Sequence, residues 1–292
     1  MVALVRSQTP TKLPGGATTD APFQPLAESG FGNPAFYHQF FDDFDNTLGV
    51  SGLYTQSATG GTFSHSAADG GVGLISIPAT STDYGALQLP AASFQLPQGT
   101  TYPTGTQGKK LFYGVRVNGI STLASYQAYL GLIDTTATVF TAITDGVYFS
   151  LSGTTINLVT VSSSVSSTWT IPTSAYSAWF AAGVQFDLAF YIDWYQNINV
   201  FVGQQLFGFV PQSGSGSASG AYSTTTGVST LPVEGRVLQV ISPTYQYPPG
   251  TSGLTGPWTI SSAILNVTAA IKTTAATAVT MGIDFHFVQK ER

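Results

Sequence analysis

The chain has 292 residues and a formal net charge of −5, yet only 8% of its residues are charged and it contains no cysteine. Average proteins are about 25% charged, so ionisable groups are too scarce to favour an enzyme whose active site clusters acids and bases. The lack of a Lys/Arg run argues against a nucleic-acid partner. Without cysteine, neither disulfides nor thiolate metal sites can form. The composition therefore indicates a non-enzymatic assembly component, stabilised by packing and oligomerisation.

The hydrophobic share of 43% is large enough to build a sizeable core. All-β sandwiches of about 200–250 residues often form a single domain. The first residues, Met1 to Arg6, lack the basic segment and the apolar run of a secretory signal. No apolar run approaches the roughly 20 residues that cross a bilayer. We expect synthesis in a cytoplasm and no membrane partner.

The N-terminal segment, residues 1–35, is irregular and rich in proline. Proline removes donors from a β-ladder and favours extended or turn geometry. The segment is either an extended arm or a disordered tail, and the sequence leaves both open. In an arm, Phe23, Leu26 and Phe31 would have to pack on another surface, and a neighbouring subunit is the natural one. These three residues are candidate partner-binding residues.

After Pro34, four stretches alternate apolar with polar or small residues, the period of two that half-buried strands show. They cover residues 111–118, 147–152, 184–194 and 279–287. The stretch at 184–194 is one long half-buried strand or a strand pair with a bend. In the last stretch, Val279 to Phe287 alternate so that Phe285 and Phe287 share the apolar face and His286 faces solvent.

Turn-forming pairs such as Gly60–Gly61 and Asp145–Gly146 separate these stretches, and no helical period is sustained. The pattern predicts an all-β fold, an antiparallel β-sandwich or jelly roll with very little helix. A tract of Gly, Ser, Thr and Ala at Ser213 to Thr230 indicates a flexible or locally ordered excursion.

Residues that could support catalysis are scattered. His38, His65 and His286 have no ligand-type spacing, and no serine lies in a nucleophile elbow. Asp187 and Asp193 would be ~20 Å apart on a straight strand, whereas glycoside hydrolysis needs ~5–9.5 Å. A hydrolase would require Glu234 to meet an aspartate across strands.

The densest acidic stretch contains Asp42, Asp43 and Asp45. Three carboxylates could bind Ca²⁺, but the favoured interpretation is structural. Phe41 and Phe44 would anchor in the core while the acids face solvent or cap backbone N–H groups. We predict no metal site and no cofactor.

Aromatic residues in loops are the better candidates for contact with a partner. Tyr245, Tyr247 and Trp258 lie in and just after the turn-rich stretch from Pro243 to Pro257. Tyrosine and tryptophan on loops stack on sugar rings or fill partner pockets. Packing beneath a long loop is the alternative explanation.

Several short motifs resemble those of tailed-bacteriophage virion proteins with a concanavalin-A-like β-sandwich. They are Phe40–Phe44, the strand at 108–117, a Gly-Leu-Ile-Asp turn at 131–134, the strand at 145–149 and the closing strand at 282–288. The resemblance covers residues 36–292, which implies one sandwich domain preceded by the arm. It also implies that the opening and closing strands meet in one sheet.

The resemblance implies a structural role in a virion, decorating or stabilising the capsid, with capsid protein and sibling subunits as partners. A homo-oligomer is expected, and a trimer is preferred by analogy with capsid pseudo-threefold axes. The alternative is a glycan-binding receptor or adhesion module of a head or tail fibre. The Ca²⁺/Mn²⁺ cluster of lectin relatives has no match here. An ordered arm through Phe31 would favour the first role, and an exposed cleft at Tyr245, Tyr247 and Trp258 the second.

Overall fold

Strands make up nearly all of the regular structure. A computed structural model of the chain describes residues 37–44, 53–66, 71–90, 94–96, 109–134, 139–171, 173, 176–177, 179–192, 198–203, 237–241 and 263–291. These residues form β-strands, turns and loops without an α-helix. No helix within these ranges is long and apolar enough to cross a membrane.

The first sheet consists of eight antiparallel strands. They are β1 (Tyr37–Asp42), β3 (Thr62–Ser66), β4 (Val72–Ile77), β7 (Leu111–Ile120), β12 (Phe186–Ile192), β13 (Ile198–Gly203), β14 (Val237–Ile241) and β16 (Val279–Glu291). Their order is β14-β13-β12-β7-β16-β4-β3, and β1 pairs with β16 next to β4. The opening and closing strands therefore meet in one sheet, as the resemblance implied.

The second sheet also has eight antiparallel strands. They are β2 (Thr55–Thr59), β5 (Tyr84–Gln88), β6 (Phe94–Gln95), β8 (Tyr126–Ile133), β9 (Gly146–Ser152), β10 (Thr155–Ser162), β11 (Val165–Thr170) and β15 (Ile264–Thr273). Their order is β11-β10-β9-β8-β15-β5-β2, and β6 pairs with the start of β15. The predicted all-β antiparallel sandwich is confirmed.

The main core lies between the two sheets. Alternate residues of β7 and β9 point into it as the sequence predicted, among them Tyr113 and Phe149, which are fully buried. The rings of Phe149 and Phe190 lie 6.0 Å apart and join the second sheet to the first. Each buried side chain of this size contributes about 1.5–3 kcal/mol by leaving water. The core therefore supplies the stability that disulfides cannot.

A second apolar cluster lies on the outer face of the second sheet. Its buried members are Ala86, Ile133, Val139, Tyr148, Val159, Val161 and Ala270. Phe140 and Ile143, from the loop between β8 and β9, pack over it together with Tyr129. This sheet therefore carries an apolar layer on both faces, and the outer layer brings a loop onto the sheet.

The orientation predicted for the end of β16 is wrong. Register shifts occur between Gly282 and Ile283 and between Ile283 and Phe285. An extra residue in a strand reverses the alternation beyond it. His286 consequently points into the core and is fully buried, whereas Phe285 and Phe287 turn to the outer face, opposite Arg116 and Gly114 of β7.

Three further expectations need correction. β12 is buried on both faces, not half-buried, because Asp187 on its outer face is paired with Arg116. The segment 131–134 is not a turn, since Gly131 to Ile133 form the end of β8. Phe41 does not anchor in the core. It points to the outer face of the first sheet, opposite Phe287, and is 44% exposed.

Candidate functional site

A cavity of about 370 Å³ opens on the outer face of the second sheet. This volume falls within the range of about 300–1,000 Å³ that small-molecule sites occupy. Three segments line it: the turn before β5 together with the start of β5, the end of β15 with the residues after it, and the loop between β8 and β9. The lining residues are Ser81, Thr82, Tyr84, Phe140, Thr141, Lys272, Thr273 and Thr274.

The turn between β4 and β5 shapes one wall of the cavity. It is closed by hydrogen bonds from the Asp83 amide to the Thr80 carbonyl (3.2 Å) and from the Thr80 amide to the Pro78 carbonyl (2.8 Å). Thr82 has a φ of +81°, which is rare for a β-branched residue. Such a conformation costs on the order of 1–3 kcal/mol and tends to occur at functional sites. The Thr273 amide donates to the Asp83 carbonyl at 3.1 Å, so the turn is joined to the end of β15.

The loop between β8 and β9 folds back over the sheet. Asp134, directly after β8, accepts hydrogen bonds from the Thr144 hydroxyl (2.7 Å) and the Thr144 amide (3.3 Å). These bonds close the base of the loop and turn its middle toward the strands. Phe140 then packs against Tyr129, with ring centroids 4.7 Å apart, and meets Tyr84 edge-on at 6.2 Å. Tyr84 and Phe140 therefore form an aromatic wall of the cavity.

Lys272 places a cation beside this wall. It lies opposite Tyr84 of β5 and Gln127 of β8 in the ladder, so its side chain stands on the outer face. Its Nζ is 4.9 Å from the centroid of the Phe140 ring, within the range of a cation–π interaction. Partial burial lowers the pKa of Lys272.

The cavity combines three chemistries. Two aromatic rings provide apolar surface, one ammonium provides charge, and threonine and serine hydroxyls provide donors and acceptors. Tyr84 is held in place by its hydroxyl, which lies 3.2 Å from Ser57 Oγ. None of the described lining residues carries a carboxylate or an imidazole. The arrangement can hold a polyhydroxylated ligand, but it provides no acid–base pair.

A separate charged cluster lies on the outer face of the first sheet. Arg116 donates two hydrogen bonds to Asp187, through Nε (2.8 Å) and Nη2 (3.1 Å). A third contact joins Arg116 Nη1 to Asp284 at 3.6 Å. Burial lowers the pKa of Arg116, but the two carboxylates outweigh it and raise that pKa overall. Burial raises the pKa of Asp284, and Arg116 offsets only part of the rise.

Ion pairs hold both acids of this charged cluster. A guanidinium lies between the two acids, and Asp187 has no exposed surface. Asp193, the other member of the pair considered from the sequence, lies outside the described residues, as does Glu234.

The imidazole of His286 is a polar group buried inside the sandwich. The rings of Phe44, Tyr54 and Tyr113 each lie 6.2 Å from the imidazole. Within the described part of the chain, neither imidazole nitrogen has a hydrogen-bond partner. Complete burial lowers the pKa of His286 to about 3. The imidazole is therefore neutral in the folded protein at neutral pH.

At the end of β1, Asp42 and Phe44 adopt the arrangement favoured by the sequence, whereas Phe41 does not. Asp42 accepts a hydrogen bond from the Phe44 amide at 3.0 Å, and Phe44 is buried in the core. Burial raises the pKa of Asp42 although this hydrogen bond opposes the rise. Asp45 lies outside the described residues, and no group of three potential ligands occurs within them.

His38 and His65, which were considered from the sequence, do not line the cavity. His38 packs 4.7 Å from Phe94, and His65 Nε2 contacts the Phe44 carbonyl. The six candidate partner-binding residues all lie outside the described residues, as does the arm: Phe23, Leu26, Phe31, Tyr245, Tyr247 and Trp258. Their proposed contacts stay predictions.

Sequence reasoning missed Tyr84, Phe140 and Lys272. The chain has only nine Lys and Arg residues. Lys272 interrupts a strand otherwise made of apolar, small and amide or hydroxyl side chains. The single lysine in this strand was the sequence feature that could have indicated the site. Nothing in the sequence placed Phe140 beside it, because that contact depends on how a loop folds back.

No protein-family model matches the chain, and no curated protein matches it. Among solved structures, it is similar to a protein of unknown function, SO2946, from Shewanella oneidensis MR-1, with 13% identity, a TM-score of 0.44 and coverage of 93% of this chain and 95% of that one. It is also similar to botulinum neurotoxin type C, whose cell entry depends on interaction with two ganglioside molecules, with 7% identity, a TM-score of 0.45 and coverage of 86% of this chain. The binding domain of serotype C1 matches with 7% identity and a TM-score of 0.47 over the same share of this chain. The matches span 47% and 48% of the two toxin chains. The fold assignment rests on the strand pairing.

Proposed function

We propose that this chain is a non-catalytic carbohydrate-binding β-sandwich of a bacteriophage particle. The observation that carries the proposal is the cavity lined by Tyr84, Phe140 and hydroxyl side chains. A sugar ring has an apolar face of C–H groups and a rim of hydroxyls. Aromatic side chains pack on the former, and serine and threonine hydroxyls bond with the latter. The virion assignment is supported by the resemblance of the sequence motifs.

The aromatic wall is suited to binding because its rings are held rigidly and yet remain partly accessible. Tyr84 and Phe140 are both partly buried, and both line the cavity. The contact with Tyr129 holds the Phe140 ring before a ligand arrives, and a hydrogen bond from Thr144 to Asp134 closes the loop that carries it. Preorganised side chains lose little entropy on binding. Binding a sugar at this site therefore requires little loss of conformational entropy from the protein.

One such cavity would give a weak interaction, but a virion repeats its components. Linking several sites raises avidity by about 10²–10⁴ without new contacts. The low charge of the chain, 8% of its residues, also fits a protein whose surface is partly covered by neighbouring copies.

A purely structural virion role is the second candidate, and one observation favours it. Phe41 on β1 is 44% exposed and lies 6.5 Å from Phe287, whose ring is 5.7 Å from Phe112. This row of aromatic rings runs along the outer face of the first sheet. Large exposed aromatic residues often anchor protein interfaces. Capsid protein or a sibling subunit would be the partner, in the trimer proposed by analogy.

Two matched substitutions separate these functions. Phe140→Ala should weaken binding to an oligosaccharide array by at least about tenfold, because roughly 1.5 kcal/mol of apolar contact is lost. Phe41→Ala removes the same side chain from the other sheet and should leave the array signal unchanged. Binding that is lost in Phe41→Ala and retained in Phe140→Ala would contradict the cavity as the sugar site. If the purified protein binds no saccharide and Phe41→Ala abolishes its assembly or particle attachment, the structural role replaces the proposed one.

A further inference from the structure

We propose that the cavity selects sugars that carry a carboxylate, and that Lys272 is the residue that determines this specificity. The inference rests on the proposed function, because it names the class of saccharide for the same site. The ligands are acidic monosaccharide units such as uronic or sialic acids. Both present a carboxylate attached directly to a carbon of the sugar ring.

The position of the ammonium group supports this selectivity. Lys272 extends from the central strand β15, between Tyr84 and Gln127 on the neighbouring strands. Its Nζ lies 4.9 Å from the centre of the Phe140 ring, so the cation sits at the aromatic wall itself. A sugar that packs against the accessible parts of Tyr84 and Phe140 therefore brings its ring substituents next to Nζ. A neutral hydroxyl there would gain an ordinary hydrogen bond, and a carboxylate a charge-assisted one.

The charge of the cavity is unbalanced. No carboxylate in the described part of the chain forms an ion pair with Lys272. The eight lining residues contribute one positive charge and no negative one. Arg116 on the first sheet, by contrast, is matched by two aspartates. A partly buried ammonium that no described carboxylate pairs with is a binding element that an anionic ligand completes. Partial burial, which disfavours the charged ammonium, also lowers the pKa of Lys272.

The donor set fits a carboxylate better than a phosphate. Phosphate sites commonly use the bidentate fork of arginine or the amides of a helix N-terminus. The cavity has neither: its described lining contains a single ammonium together with hydroxyl side chains. One ammonium balances one carboxylate, while the hydroxyls remain available for the other oxygens of the sugar.

The test uses pairs of ligands that differ in charge. Trigalacturonate and its fully methyl-esterified form have the same sugar backbone, and sialyllactose and its methyl ester provide a second pair. Isothermal titration of the full chain should show at least about tenfold tighter binding of an acid than of its neutral counterpart, the effect of a hydrogen bond to a charged group. The pair that shows the difference distinguishes uronic from sialic acids.

Lys272→Met should reduce this ratio to near one while the neutral ligand still binds, and Lys272→Arg should retain a preference for the acid. Lys109→Met removes the same charge from an exposed position next to the first sheet and should leave the ratio unchanged. Thermal unfolding of each variant shows that it is folded. Equal binding of acid and neutral ligand by the original chain, or an acid preference that survives in Lys272→Met, would overturn the inference and leave the proposed function standing. Binding of neither ligand pair would overturn both.

Discussion

Replacing Arg116 with methionine is expected to lower the free energy of unfolding by about 3–5 kcal/mol, because this is the cost of breaking a buried ion pair from one side. Asp187 has no exposed surface and accepts two hydrogen bonds from the guanidinium. Without Arg116, a carboxylate would stay buried on the outer face of β12 with its counter-charge removed. Urea unfolding at pH 7, followed by circular dichroism, measures the loss.

The matched control is Asp187→Asn, which should cost less. In that variant no buried carboxylate loses its counter-charge, and Arg116 keeps its contact with Asp284 at 3.6 Å. The double variant Arg116→Met/Asp187→Asn should be more stable than Arg116→Met alone, because the uncompensated charge is gone. Two results would show that the pair does not stabilise the outer face of the first sheet. One is an equal loss of stability in Arg116→Met and Asp187→Asn, and the other is a loss in the double variant equal to the sum of the two single losses.

Lowering the pH from 7 to 4 is expected to remove on the order of 3 kcal/mol of stability through His286. The pKa of this residue is about 3 in the folded protein and 6.5 in the unfolded chain. Between these values the unfolded chain binds a proton that the folded protein does not. The free energy of unfolding therefore falls as the pH drops below about 6.5 and stops changing near 3. The measurement is a series of urea midpoints across this range.

The groups around His286 do not remove this dependence. Asp42 lies opposite it in the ladder, and burial raises the pKa of Asp42, so this carboxyl has the opposite effect over a window just above pH 3.8. Tyr54 and Tyr113, whose pKa values burial raises further, stay neutral throughout. His286→Leu should flatten the pH dependence between 6.5 and 4 without lowering stability at pH 7 by more than about 1.5 kcal/mol, as for a swap of similar volume. The same slope in His286→Leu as in the original chain would assign the acid sensitivity to other groups.

The fold was predictable where local alternation persists without interruption. The sequence places β7 and β9 correctly because their apolar side chains keep strict period two, from Leu111 to Val117 and from Val147 to Leu151. It fails in β16, where the extra residue at Asp284 reverses the alternation. A bulge has no signature in apolar periodicity alone. His286 was therefore assigned to solvent although it is buried.

The candidate site could not be predicted, because long-range contacts create it. Tyr84, Phe140 and Lys272 come from three separate parts of the chain. Phe140 reaches the sheet on a loop whose ends are joined by hydrogen bonds from Thr144 to Asp134. The sequence directed attention to Tyr245, Tyr247 and Trp258, which remain untested.

The most direct test of the carbohydrate site is a crystal structure of the full chain with the saccharide that binds best. We predict a sugar ring against Tyr84 and Phe140, with an oxygen of its carboxylate about 2.7–2.9 Å from Lys272 Nζ. A saccharide bound at any other surface, with this cavity unoccupied at saturating ligand, would contradict the account.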